Sequence, residues 1–146
     1  MRILAWVVLA GVATAQAPSY KPKPAGNLKQ LMRGILLPNS DAIFNVARKA
    51  PKNEKEWTAI EDSAMTLAES GNLISMPGRL RENGQPVPVQ RLDWIKKVQA
   101  LVEAAKACYQ AARSKNPDTV TASTDQLVDA CDNCHKVYRD KPERKP

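Results

Sequence analysis

Histidine is all but missing from this chain: His135 is the only one in 146 residues. Without a second imidazole, acid–base work around a peroxide has no obvious agent, and an enzyme is a poor reading. Cysteine is scarce too. Cys108, Cys131 and Cys134 are all there is, so a closed zinc site lacks its second pair of ligands. No segment offers a convincing strand and no βαβ pattern appears, which argues against a redox disulfide in a thioredoxin-like setting. The longest apolar run, residues 3–12, is too short to span a bilayer as an ordinary helix. A single Arg2 argues against twin-arginine export, and the absence of a cysteine after the expected cleavage point argues against lipid anchoring. The basic excess comes with no nucleic-acid-binding motif.

The N-terminus reads as a signal peptide over residues 1–15. Arg2 supplies the positive start, residues 3–12 the apolar stretch, and Ala13-Thr14-Ala15 the small-residue cleavage site. A retained N-terminal anchor is the competing reading. Removal of Arg2 leaves 21 basic and 15 acidic residues, a net +6, concentrated at the two ends. Residues 16–26 hold Pro18, Pro22 and Pro24 and read as an extended leader. The remainder, 27–146, has the length of one domain.

Within that domain the signals are helical. Asn27 with Gln30, and Asn53 with Glu56, resemble capping boxes that open the first and second helices. Pro38 is expected to kink or break the first, with Ser40 capping a continuation through about Lys49. The second carries Trp57, Ile60, Ala64 and Leu67 on one stripe and is expected to end at Gly71. Residues 72–88 read as a loop. A third helix over 89–114 repeats Trp94, Val98, Leu101, Ala105, Cys108 and Ala112 in steps of four and three. Cys108 on that stripe reads as a small buried hydrophobe. Asn116 and Pro117 open the fourth, whose stripe is Val120, Leu127, Cys131, Cys134 and Tyr138. Four such helices predict an all-α, antiparallel four-helix bundle.

One motif carries chemistry. Cys131-Asp132-Asn133-Cys134-His135 has the spacing of a c-type haem attachment site, in which both thiols join porphyrin vinyl groups and the following imidazole binds iron. On a helix Cys131 and His135 stand one turn apart. The expected cofactor is therefore one haem c, covalent through Cys131 and Cys134. Its two carboxylates would bring the net charge to about +4.

The extended motif, Cys131-x-x-Cys134-His135-x-x-Tyr138-Arg139 near the C-terminus of a four-helix chain, resembles class II c-type cytochromes, the cytochrome c′ and cytochrome c556-like family. The likeness covers nearly all of residues 27–146. It implies a basic residue at Arg139, on the solvent side of the proximal histidine, and a distal residue on the first helix. Lys29-Gln30-Leu31-Met32 approximates the family's basic-Gln pair and places Met32 at that distal position.

The sixth iron position divides two functions. Met32 bound opposite His135 implies a one-electron carrier; Met32 merely packing over open iron implies a binder of small gases such as NO or CO. Met65 and Met76 are the other thioethers in the mature chain, and core filling is the plain alternative for all three. Trp57 and Trp94 could line a haem pocket, but a bundle seam buries tryptophan in any case, and both read as core residues. Lys29, Lys136 and Arg139 read as solvated charges that could also meet the haem carboxylates. The expected setting is a periplasm reached by a Sec-type signal, without stable membrane insertion once the signal is removed. The basic ends would steer an acidic redox partner protein. The resemblance adds homodimers formed through the first two helices.

Overall fold

The computed structural model describes residues 20–140. The expected signal peptide, residues 16–19 and the basic Lys141, Arg144 and Lys145 lie outside them. Four helical stretches pack against one another, and among the described residues the extended structure amounts to one isolated bridge, Leu80 with Pro86.

The first stretch begins as its sequence predicts. The Asn27 side chain accepts the Gln30 N–H at 2.9 Å, and the Gln30 side chain accepts the Asn27 N–H at 2.8 Å. From there α1 (Leu28–Leu31) runs through a π turn, Met32–Leu36, into α2 (Leu37–Phe44) and a 3₁₀ turn, Asn45–Ala47. Pro38 does not break this rod. Inside a regular α-helix its ring would strike the Gly34 carbonyl. The π turn just ahead widens the ladder, with the Leu37 N–H reaching back to Met32 O, and Pro38 falls in the first turn of α2, where no N–H is needed. Ser40 accordingly caps nothing: its hydroxyl donates to Leu37 O at 3.0 Å.

Asn53 opens α3 (Glu54–Ile74) by accepting the Glu56 N–H at 3.0 Å, and Glu54 and Glu56 complement the positive end of the helix. The helix runs three residues past the expected stop. Gly71 serves packing rather than termination, because a Cβ there would lie 2.3 Å from Val102 Cγ2 on the next long helix. Alanine at Gly71 gains about 1 kcal/mol of helix propensity but overpacks at a cost of about 1–3 kcal/mol. We expect Gly71→Ala to lower the thermal midpoint by a few degrees in a calorimetric scan; an unchanged or raised midpoint would show that Val102 yields freely.

The following loop, 75–91, straps one end of the bundle. Leu80 O accepts the Leu28 N–H at 2.8 Å; Arg79, almost fully buried, donates to Gly26 O at 2.6 Å and to Leu73 O at 2.9 Å. Burial holds the Arg79 pKa below its usual value. Lys29 pairs with Glu82, and Arg81 with Asp140. Then α4 (Leu92–Arg113) begins later than its pattern suggested, because residues 88–91 close a turn, the Arg91 N–H donating to Pro88 O at 2.9 Å, and Arg91 itself is extended. Asn116 accepts the Asp118 and Thr119 N–H groups and starts α5 (Pro117–Tyr138), with Pro117 in its first turn.

Helix α4 packs on both α3 and α5, while α2 packs on α3 and α5, so the four stretches enclose one core. The whole predicted α4 stripe is buried, Cys108 included, and so are Trp57, Ala64, Leu67, Val120, Leu127 and Tyr138. At the end away from the strap, Lys115 between α4 and α5 pairs with Glu54 at the start of α3. Among the described residues no helix is long and apolar enough to cross a membrane.

Candidate cofactor site

Helix α5 places Cys131, Cys134 and His135 on adjoining positions of one side, one turn before its end. The layers that flank the two cysteines on this face are closed: Leu127, Ala130 and Tyr138 are all buried. Cys131 and Cys134 are only half-buried, although they pack against the same core, and His135 is exposed. The core is therefore thinner at the motif than on either side of it.

The first rod shows why. Its later part, α2 and Asn45–Ala47, packs on α5, whereas the Met32–Leu36 turn packs on α3. Leu31, Met32 and Ile35 on this early part are half-buried apolar side chains, as the two cysteines are. Met32 thus sits at the strapped end of the bundle, which also receives the end of α5. Met65 is elsewhere: it is exposed in a groove with Glu103, Lys106, Ala107, Tyr109 and Gln110, to which α5 contributes nothing. Met76 lies just beyond α3 and is half-buried. Arg139 is exposed at the end of α5, its N–H donating to His135 O at 3.2 Å.

The electrostatics keep the donor set uncharged. Burial pushes both thiols up; at Cys131 the neighbouring Cys134 and Asp132 add to the effect, and at Cys134 Lys97 opposes it. Crowding lowers the His135 pKa, Arg139 lowers it further, and Asp132 works the other way. Neutral thiols and a neutral imidazole are the forms present at pH 7, and neutral imidazole is the form that ligates a metal. Among the described residues no three His, Cys, Asp or Glu side chains gather into a metal-holding group, so the pair has no zinc-type company.

Two features here had no signal in the sequence. Lys97 of α4 donates to Asn133 O at 2.9 Å, tying α4 to the spacer between the cysteines. Tyr138 donates its hydroxyl to Asp93, which also accepts from Arg91 Nε at 3.0 Å, while the Tyr138 ring meets Trp94 edge-on. Asp93 and Tyr138 are 45 residues apart and share no pattern. The Tyr138 hydroxyl and then the Arg91 guanidinium hold the Asp93 carboxyl down at about 2. A carboxylate depressed in the folded state stabilises it above the unfolded pKa, near 3.9, and loses that contribution as pH falls through its folded value. Tyr138→Phe keeps the ring against Trp94 and removes the donor. We expect the variant to be less stable at neutral pH, with the difference shrinking between about pH 4 and pH 2 in acid denaturation curves; a gap independent of pH would deny Asp93 this part.

No protein-family model, curated protein or solved structure matches this chain.

Proposed function

We propose that this chain is an exported c-type cytochrome of the class II kind, an antiparallel four-helix bundle that carries one haem and passes single electrons. Cys131 and Cys134 hold the porphyrin, His135 supplies one axial ligand and Met32 the other. What carries the reading is the attachment motif on the core side of the last helix, at the one level where that core is thin. Three contacts support the helix directions: Lys115 with Glu54 at one end, and Leu28 with Leu80 and Tyr138 with Asp93 at the other.

The haem iron supplies a reversible ferric–ferrous couple. The chain's residues do the rest. His135 presents a neutral imidazole, Met32 a thioether that raises the reduction potential, and Leu31 and Ile35 an apolar wall against water. Arg139 and Lys136, both exposed beside His135, set a positive rim for an acidic redox partner. The same apolar wall favours a second reading: with Met32 unbound, Leu31, Met32 and Ile35 would cover an open iron face suited to NO or CO.

Visible spectra of protein matured in a periplasm, oxidised and reduced, with and without carbon monoxide, separate the two. Low-spin iron in both states, unmoved by the gas, supports the carrier. High-spin ferrous iron that shifts with the gas supports the binder. A colourless chain, made where other c-type cytochromes mature, rejects both.

A further inference from the structure

Trp94 is fully buried, and among the described residues its indole N–H has no acceptor. Native cores rarely leave such a donor unmet. The polar groups beside it are already engaged: Tyr138, whose ring lies 4.8 Å from that of Trp94, gives its hydroxyl to Asp93, and Asp93 is shared with Arg91. Tyr138 stands one turn beyond Cys134 on the same side of α5, so the orphaned donor lies in the closed layer next to the motif. The Lys97 ammonium of α4 is bound to Asn133 O, between the two cysteines, rather than to any carboxylate.

A strong acceptor brought in from outside the chain accounts for these observations together. Resting on the haem reading above, we propose that the Trp94 indole N–H donates to one of the two carboxylates of the bound haem. Trp94 is then a positioning residue: it fixes the porphyrin's rotation about its two thioether bonds, and it never touches the iron. A hydrogen bond to the ionised carboxylate spreads charge that would otherwise favour ferric iron, so its removal lowers the reduction potential.

The test is resonance Raman spectroscopy of the holoprotein, read at the carboxylate bending band of the haem. Trp94→Phe keeps an aromatic ring beside Tyr138 and deletes only the donor. The expected result is a shifted bending band and a lower midpoint potential, with the spin state unchanged. An unmoved band in a normally loaded variant overturns the proposal and leaves an ordered water as the partner of Trp94. If the variant fails to load haem, the unmodified holoprotein decides: transfer to deuterated solvent shifts the bending band where the indole is bonded to it, and absence of that shift overturns the proposal. An unmodified chain that never acquires haem refutes the function proposed above, an outcome distinct from either of these.

Discussion

Serine at both Cys131 and Cys134 is expected to yield a chain with no covalently held haem. After acid–acetone extraction the unmodified protein should stay coloured in the polypeptide fraction and the variant should lose its colour completely. A serine hydroxyl cannot replace a thiol in adding to a porphyrin vinyl group, while its size and hydrogen-bonding capacity suit a half-buried helical position. Helix α5 itself should therefore persist, since its cap at Asn116 and its buried Val120, Leu127 and Tyr138 are untouched. Stability should nevertheless fall by several kcal/mol, because a ligand bound only by the folded state adds its binding free energy to folding. The single variants should each keep haem through one thioether, with the altered absorption of a porphyrin that retains one vinyl group. Serine at Cys108 is the control. That thiol is fully buried beside Ser123, with its pKa raised by burial, and its loss should cost stability without affecting colour. Colour retained by the double variant after extraction would mean that the motif does not attach the cofactor.

Much of this was legible in sequence, for a definable reason. Capping boxes and seven-residue stripes are local. Asn27 with Gln30 forms its full box, and the six-residue stripe of α4 is buried as its pattern placed it. Asn53 accepts the Glu56 N–H, but the Glu56 carboxylate takes the Lys52 N–H in place of the Asn53 one. The misses come from interactions between distant segments. Pro38 looked like a stop because the widened turn upstream that absorbs it is not encoded in any short motif. Gly71 looked like a terminator because its real constraint, Val102, comes from another helix. The strap around Arg79 and the Tyr138–Asp93–Arg91 cluster join residues tens of positions apart. For the candidate site, spacing alone singled out the two thiols and the imidazole as the residues on which the proposal rests. The half-burial of the two cysteines between the buried Leu127 and Tyr138 is a property of how the first rod packs on α5, and no single segment contains it.

That packing bears most directly on Met32. Replacing Met32 with alanine is expected to convert low-spin iron to high-spin in both oxidation states, to lower the reduction potential, and to let carbon monoxide bind the ferrous form. Loss of the thioether empties the sixth position, and the remaining imidazole leaves a weaker ligand field. The change in fold should be smaller than the change in spectrum. Met32 is only half-buried and begins a π turn whose register depends on Pro38 and the Leu37 N–H rather than on its own side chain. Truncation of a half-buried methionine costs less than the 2–5 kcal/mol typical of a fully buried one. Met65→Ala, in its groove on α3 and α4, should leave the spectrum unchanged. Should Met32→Ala remain low-spin, the ligand must come from elsewhere, and Met76 beyond α3 is the next side chain to replace. If the unmodified protein is already high-spin, the gas-binding reading holds. The same substitution should then change only gas affinity, because Met32, with Leu31 and Ile35, would be part of the apolar wall and not a ligand.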